Sequence, residues 1–197
     1  MPRIAEGRAP AEPTTPDQRD RVRRILRAAA HQGAAKGLDH VQMADVAKDA
    51  GVAIATLYRY FPSKTDLFTG VMRDRVGQMH ERIADLPPAE PVEAIAELLV
   101  GAGRALLRHP LLAHAMMISN NARAADPRAG VNDEFKSLLY RAAGIVAPTS
   151  EEERLLRIVE QTWYGILTAV LNDVITADEA EGDTRMATRL LLAHLWT

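Results

Sequence analysis

The chain has 197 residues, no cysteine, 47% apolar and 25% charged residues, a composition ordinary for a soluble globular protein. The missing cysteine excludes disulfides, thiolate catalysis and Cys-ligated zinc. No apolar run approaches the ~18–20 residues of a membrane span, and the proline- and charge-bearing amino terminus is unlike a secretory signal, so no membrane partner is expected and a cytoplasmic location is. The net charge of −2 hides an asymmetry: residues 1–64 carry 11 Lys and Arg against 7 Asp and Glu, the remainder 13 against 19. The positive potential therefore sits on the first third of the chain, where it suits a polyanionic partner.

Residues 1–16 hold four of the 11 prolines and read as a flexible arm. Its Arg3 and Arg8 suit either a solvated tail or a contact along a minor groove. Thr15-Pro16-Asp17-Gln18 then supplies a cap, a proline at the first helical position and a capping-box glutamine. The helix that follows puts Val22, Ile25, Leu26 and Ala29 on one face, and five arginines between Arg19 and Arg27 on the rest. Gly33 and Gly37 are expected to end this helix or loosen its last turn.

The stretch 38–68 organises the rest. Met43, Val46, Ala47 and Ala50 recur at helical spacing, Gly51 breaks the run, and Val52, Leu57 and Tyr60 resume an apolar face beyond it. A small residue, a glycine tolerant of positive φ and following hydrophobics at these offsets are what a helix-turn-helix requires. The run Thr56-Leu57-Tyr58-Arg59-Tyr60-Phe61-Pro62-Ser63-Lys64, followed by an apolar helix, resembles the DNA-binding region of TetR-type transcriptional regulators, over roughly residues 22–72. The resemblance implies an all-α fold with an amino-terminal three-helix reading head over residues 17–62 and a larger helical effector-binding and dimerisation domain over 63–197. It makes double-stranded DNA the expected partner. The residues expected to meet it are Gln42 at the head of the first short helix, Ala53, Ile54, Thr56, Tyr58 and Arg59 on the second, and Lys64 beyond. Gln42 stands where the family often has a hydroxyl residue near phosphate, and Ala44 where it often has a basic or polar one. Ala53 and Ile54 are apolar for base reading and suit a thymine methyl, while Arg59 suits phosphate or guanine. Lys64, in the first turn after the Ser63 cap, suits a phosphate.

One helix is predicted from Ser63 to about Asp85, ended by Leu86-Pro87-Pro88. Beyond it every segment is helical in pattern: an apolar stripe from Ala94 to Leu107, an interruption at His109-Pro110, a shorter helix through Ile118, a polar turn within 120–130, and a helix over 132–143. Ser150-Glu151-Glu152-Glu153 reads as a capping box opening a helix to about Val174, and Thr176-Ala177-Asp178-Glu179 as another opening a last helix to near Trp196.

No enzyme signature survives inspection. Gly101-x-Gly103 lacks a third glycine and follows a helix, and His109 and His114 lack the spacing of a helical metal pair. No catalytic residue, metal or cofactor is therefore expected. Met79, His114, Met116 and Met117, with Phe135, Trp163 and Leu167, either fill a core or line a cavity between helices. The family resemblance favours a cavity for a small-molecule effector whose binding lowers operator affinity. Val41-Gln42-Met43 with the run above is also similar to actinobacterial regulators of sterol and lipid breakdown, which makes an acyl or sterol thioester the first ligand class. In TetR-type proteins the last helices pair across a two-fold axis. That implies a homodimer through Leu155, Ile158, Val159 and Thr162 on one helix and Met186, Leu190, Leu191 and His194 on the other. The whole reads as a repressor released from a palindromic operator. A constitutive DNA-binding dimer, or a helical lipid-binding carrier, are the alternatives.

Overall fold

The computed structural model describes residues 10–83, 90–123 and 131–195. Among these there are nine α-helices and no strand: α1 (Pro16–His40), α2 (Met43–Asp49), α3 (Ile54–Tyr60), α4 (Lys64–Ile83), α5 (Pro91–Leu107), α6 (Pro110–Arg123), α7 (Val131–Ala142), α8 (Ser150–Leu171) and α9 (Ala177–Leu192). The expected proline-rich end of α4 falls at 84–89 and the polar turn partly at 124–130, both outside the described residues. No helix is long and apolar enough to cross a membrane among the described residues.

Two apolar cores organise these helices. The first joins Ile25, Leu26 and Ala29 of α1, Val46 and Ala47 of α2, Leu57 and Tyr60 of α3 and Leu67, Phe68 and Val71 of α4. The second lies among α5, α7, α8 and α9, around Leu99, Leu138, Leu139, Leu156 and Trp163. Helix α6 serves both: Leu112, Ala115 and Met116 belong to the first core, and Met117 to the second.

Local chemistry explains the boundaries and corrects several expectations. Thr15 caps α1 by accepting from the Gln18 N–H, but the Gln18 side chain reaches back to the Thr14 N–H (2.8 Å), one residue earlier than a standard box. Gly33 does not end α1. It lies inside the helix, where a Cβ would stand 2.6 Å from Phe68 and 3.0 Å from Leu112, so the missing side chain lets α1 lie directly on α4 and α6. The break comes at Gly37, whose φ of 73° and ψ of 169° kink the last turn. Helix α6 runs five residues past the expected Ile118. The cap of α8 is Thr149, paired reciprocally with Glu152, and not Ser150. The Thr176–Glu179 box stands as expected, although α9 closes at Leu192, short of Trp196. Helix α9 is held on α5 by Arg104–Glu181 and by Arg185 and Arg189 on Glu93 (3.3 and 2.9 Å).

Two glycine substitutions inside helices are expected to act in opposite directions. Gly33→Ala forces a methyl into Phe68 and should lower stability by about 1–3 kcal/mol. Gly77→Ala in α4 meets nothing within 4 Å and should raise it by about 0.5–1 kcal/mol. Equilibrium denaturant titrations of the two variants check both signs.

Candidate nucleic-acid interface and ligand cavity

Helix α2, the turn and α3 form a tight helical corner. At its centre Gly51 takes a φ of 64°. The Val52 N–H then reaches the Ala47 carbonyl (3.0 Å) and the Gly51 N–H that of Lys48 (3.1 Å), the paired bonds of a Schellman motif. Arg24 of α1 donates to the Ala50 carbonyl at 2.6 Å, tying the corner to the first helix. This arginine reads from sequence as part of a solvated face, and its structural role escapes periodicity because its partner is a backbone oxygen 26 residues away. The corner buries Leu57 and Tyr60 and leaves Ala53, Ile54, Ala55 and Arg59 exposed, with Thr56 and Tyr58 half-buried on the same short helix. Gln42 is exposed at the head of α2, and its side chain makes no capping bond there. Arg59 lies over the Tyr60 ring at 4.7 Å and donates to its hydroxyl at 2.7 Å, which holds the guanidinium beside α3. Lys64 is half-buried, and its ammonium donates to the Leu38 and Asp39 carbonyls (3.1 and 3.3 Å), closing the kinked end of α1. Residues 10–15 of the arm are not loose: the Ala11 N–H bonds the Arg59 carbonyl at 3.0 Å and Ala11 packs on the first core. Arg3 and Arg8 lie outside the described residues.

Between α4, α5, α6, α7 and α8 lies a cavity of about 950 Å³, near the top of the ~300–1,000 Å³ range of small-molecule sites. Met79, Met116, Met117, Phe135, Trp163 and Leu167 all line it, and Phe135 stacks on Trp163 with centroids 5.2 Å apart. His114 does not: it is exposed, because α6 turns Leu112, Ala115 and Met116 inward instead. The wall also carries charge that the sequence reading missed, namely Arg75, Arg108, Lys136, Arg154 and Arg157 with Asp133, Glu153 and Glu160. Lys136 pairs with Glu153 at 3.5 Å. The Tyr164 hydroxyl donates to the Met117 carbonyl at 3.0 Å, and burial pushes its pKa up. Glu160 is pushed up to about 7, chiefly by burial, against the pull of Lys136 and with a small push from Asp133.

On the far side of α8, Leu155, Ile158 and Thr162 are half-buried in one stripe, and on α9 Met186 and Leu190 are 60% and 72% exposed. Val159 belongs to the interior of its own chain at 2% exposure, and Leu191 packs against the second core, so neither offers an outer surface like that of Leu190. His194 is exposed near Glu151, at 3.7 Å.

Residues 25–71 match the family described as bacterial regulatory proteins, tetR family, and residues 89–191 the tetracyclin repressor-like C-terminal domain. The chain is 33% identical over 184 residues to the HTH-type transcriptional repressor KstR of Mycolicibacterium smegmatis, covering 89% of this chain and 88% of that protein. The chain belongs to the TetR family. It is thus a DNA-binding transcriptional regulator, in a family of regulators and not of enzymes. The KstR repressor of Mycobacterium tuberculosis is 32% identical over 181 residues, with 89% and 82% covered. A TetR transcriptional regulator from Rhodococcus sp. RHA1 superimposes with a TM-score of 0.85 at 43% identity, over 91% of this chain and 99% of that one. Thermus thermophilus FadR, a TetR-family repressor solved with lauroyl-CoA, shares the fold with a TM-score of 0.65 at 20% identity, over 89% and 95%.

The signal that would have found the charged wall in this TetR-family chain is faint. Arg154, Arg157, Glu160 or Gln161, and Tyr164 recur every three or four residues, but a polar stripe on a helix reads as a solvated face unless another element is known to roof it. Because folding raises the Glu160 carboxyl from 4.5 to about 7, its favourable contribution is in place below pH 4.5 and is lost as pH rises through about 7. Glu160→Gln should therefore melt higher than the parent at pH 8, by the equivalent of about 1–3 kcal/mol, with the gap closing toward pH 5. Thermal melts at the two pH values check it.

Proposed function

We propose that this protein is a homodimeric repressor, released from a palindromic operator when an amphiphilic effector, an acyl or sterol thioester, fills the cavity. The observation that carries the reading is the double duty of α6. Leu112 and Met116 are members of the reading-head core and also line the cavity. A molecule seated against them touches the packing that sets the tilt of α1 and α4, and with it the position of α3. Release then follows from differential affinity for two head positions. The wall supports the ligand class: an apolar interior of Met, Phe, Trp and Leu side chains beside five cationic ones suits an apolar body with an anionic head. That KstR proteins are named as repressors, and that FadR is described with lauroyl-CoA, points the same way.

The division into a reading head over 17–62 and an effector and dimerisation part over 63–197 is retained in this reading, with a cytoplasmic location as for other transcription regulators. At the DNA, Gln42, Ala53, Ile54, Thr56, Tyr58 and Arg59 are the contacts. Lys64 acts first on the α1 carbonyls and reaches phosphate only with what donor capacity remains. The dimer forms through Ile158 and Thr162 of α8, with Leu155 beside them although it also packs on the second core, and through Met186 and Leu190 of α9; the exposed side chains of Met186 and Leu190 have no other cover among the described residues. His194 and Leu191 flank this surface.

The test is titration of duplexes from the flanks of its own gene, against scrambled DNA, at several salt concentrations. A selective complex of two protomers per palindrome with a steep negative salt slope is expected, released by an acyl-coenzyme A. Selective binding that no acyl compound releases would leave a constitutive DNA-binding dimer, and absence of binding at low salt would leave a lipid carrier. Tyr58→Phe, which keeps the ring in its half-buried place and removes only the hydroxyl, should weaken operator binding about three- to thirty-fold, the effect of one lost phosphate or base hydrogen bond. Its melting temperature should stay unchanged, and unchanged affinity would remove Tyr58 from the interface.

A further inference from the structure

Gly101 and Gly103 fit no nucleotide-binding pattern, and two glycines inside one helix cost α5 stability. Both line a second cavity of about 590 Å³, set between α5, α8 and the first turns of α9. Its lining is largely apolar, with Leu99, Val100 and Leu107 of α5 facing Ala177 and Ala180 of α9. Trp163 and Leu167 line this cavity and the larger one, so they form the partition between the two. The Trp163 ring stacks on Phe135, which lines the larger cavity alone. Its nitrogen turns toward α5: Nε1 lies 3.6 Å from the place of a Cβ on Gly103, the one indole atom within 4 Å of it.

Two polar groups in this lining have no partner. Trp163 is 8% exposed and Thr184, which also lines the cavity, 4%. The Trp163 N–H and the Thr184 hydroxyl make no hydrogen bond with any described residue. Other helical threonines turn their hydroxyls back on the carbonyl four residues earlier, Thr168 on Tyr164 (2.9 Å) and Thr188 on Thr184 (2.8 Å), but Thr184 does not. Neither group is among the polar atoms sealed in the interior without a partner, so both open on the cavity. Of the charged residues lining it, Arg104 and Glu181 bind each other, and Arg108 stands exposed at the edge shared with the larger cavity.

We propose that this cavity is a second ligand site, separate from the effector cavity, which takes a small uncharged apolar molecule bearing a ketone or ester carbonyl. The carbonyl oxygen, with two lone pairs, accepts from the Trp163 N–H and the Thr184 hydroxyl. The hydrocarbon part lies against Leu99, Val100 and Leu107. The volume falls within the ~300–1,000 Å³ of small-molecule sites, which are mostly apolar with a few placed polar groups. A hydrocarbon of the same size leaves two buried polar groups unsatisfied and is held less tightly. The missing side chain at Gly103 serves the same end, since it leaves the indole nitrogen uncovered.

The chain holds two tryptophans, Trp163 and Trp196, so the isotope-labelled full chain gives two indole N–H resonances in NMR, and Trp196→Phe assigns them. Titration with the ketones 2-octanone and camphor should move the Trp163 resonance downfield, as a hydrogen bond forms, and saturate in the millimolar range of fragment-sized ligands. Methylcyclohexane should produce no such downfield shift. Gly103 and Thr184 line the second cavity and not the larger one. Gly103→Ala sets a methyl against the indole nitrogen at ordinary contact distance and removes a helical glycine. It should keep or raise the melting temperature while weakening ketone binding about tenfold or more. Thr184→Val keeps the shape and removes one donor, and should weaken ketone binding about three- to tenfold with the fold intact. A Trp163 resonance that neither ketone moves overturns the proposal. So does a shift that saturates with parent affinity in both variants, which places the ketone in the larger cavity. No acyl-coenzyme A enters the titration, so its outcome is independent of the amphiphile reading of that cavity.

Discussion

The contact on which the arrangement depends is the one made at Gly33. Lacking a side chain there, α1 settles onto Phe68 of α4 and Leu112 of α6 at distances a methyl group would not tolerate. That close crossing fastens the three-helix reading head to the body of the protein through packed, interlocking side chains rather than a flexible linker. It also recruits α6 into the head core, because Leu112, Ala115 and Met116 fall on the face that meets α1 and α4, while Met117, rotated by about 100°, enters the second core. A close-packed contact of this kind transmits displacement, since core side chains have few alternative positions.

The cavity takes its character from the same geometry. Helices α4 and α6 face the head on one side and the hollow on the other, so the cavity wall and the head core are the two sides of one layer. The methionines are suited to that place: unbranched side chains adapt to a guest where branched ones would hold a fixed shape.

Two features of the reading head temper what it shares with its family. Arg59 is held by the Tyr60 hydroxyl and ring, and Lys64 by the carbonyls at the end of α1, so two of its cations serve the fold. The exposed start of α3 is apolar at Ala53, Ile54 and Ala55. In the function we propose, sequence discrimination by this head leans on methyl contacts and on Thr56 and Tyr58, with less from bidentate cations than the positive charge of the segment suggests.

Whatever depended on local chemistry was present in the sequence. The helix-turn-helix rests on Ala47, Gly51 and Leu57 at fixed offsets, and the Thr176–Glu179 box on a four-residue reach, so both are visible without a fold. The methionine and aromatic residues of the cavity were legible as a set because apolar periodicity places them on inward faces. Periodicity does not say whether an inward face meets another side chain or a hollow, nor whether a polar stripe meets water or a roof. For that reason His114 was misplaced and Val159 was drawn to an outer surface, while Glu160, Arg154 and Arg157 were not singled out at all. Gly33 shows the same limit: by itself a glycine late in a helix signals an end, and only the arrival of Phe68 and Leu112 from far along the chain makes it a crossing point. Short-range hydrogen bonds and turn conformations are set by neighbours in sequence. Close approach, burial and the proton affinity that burial confers are set by residues that meet only when the chain has folded.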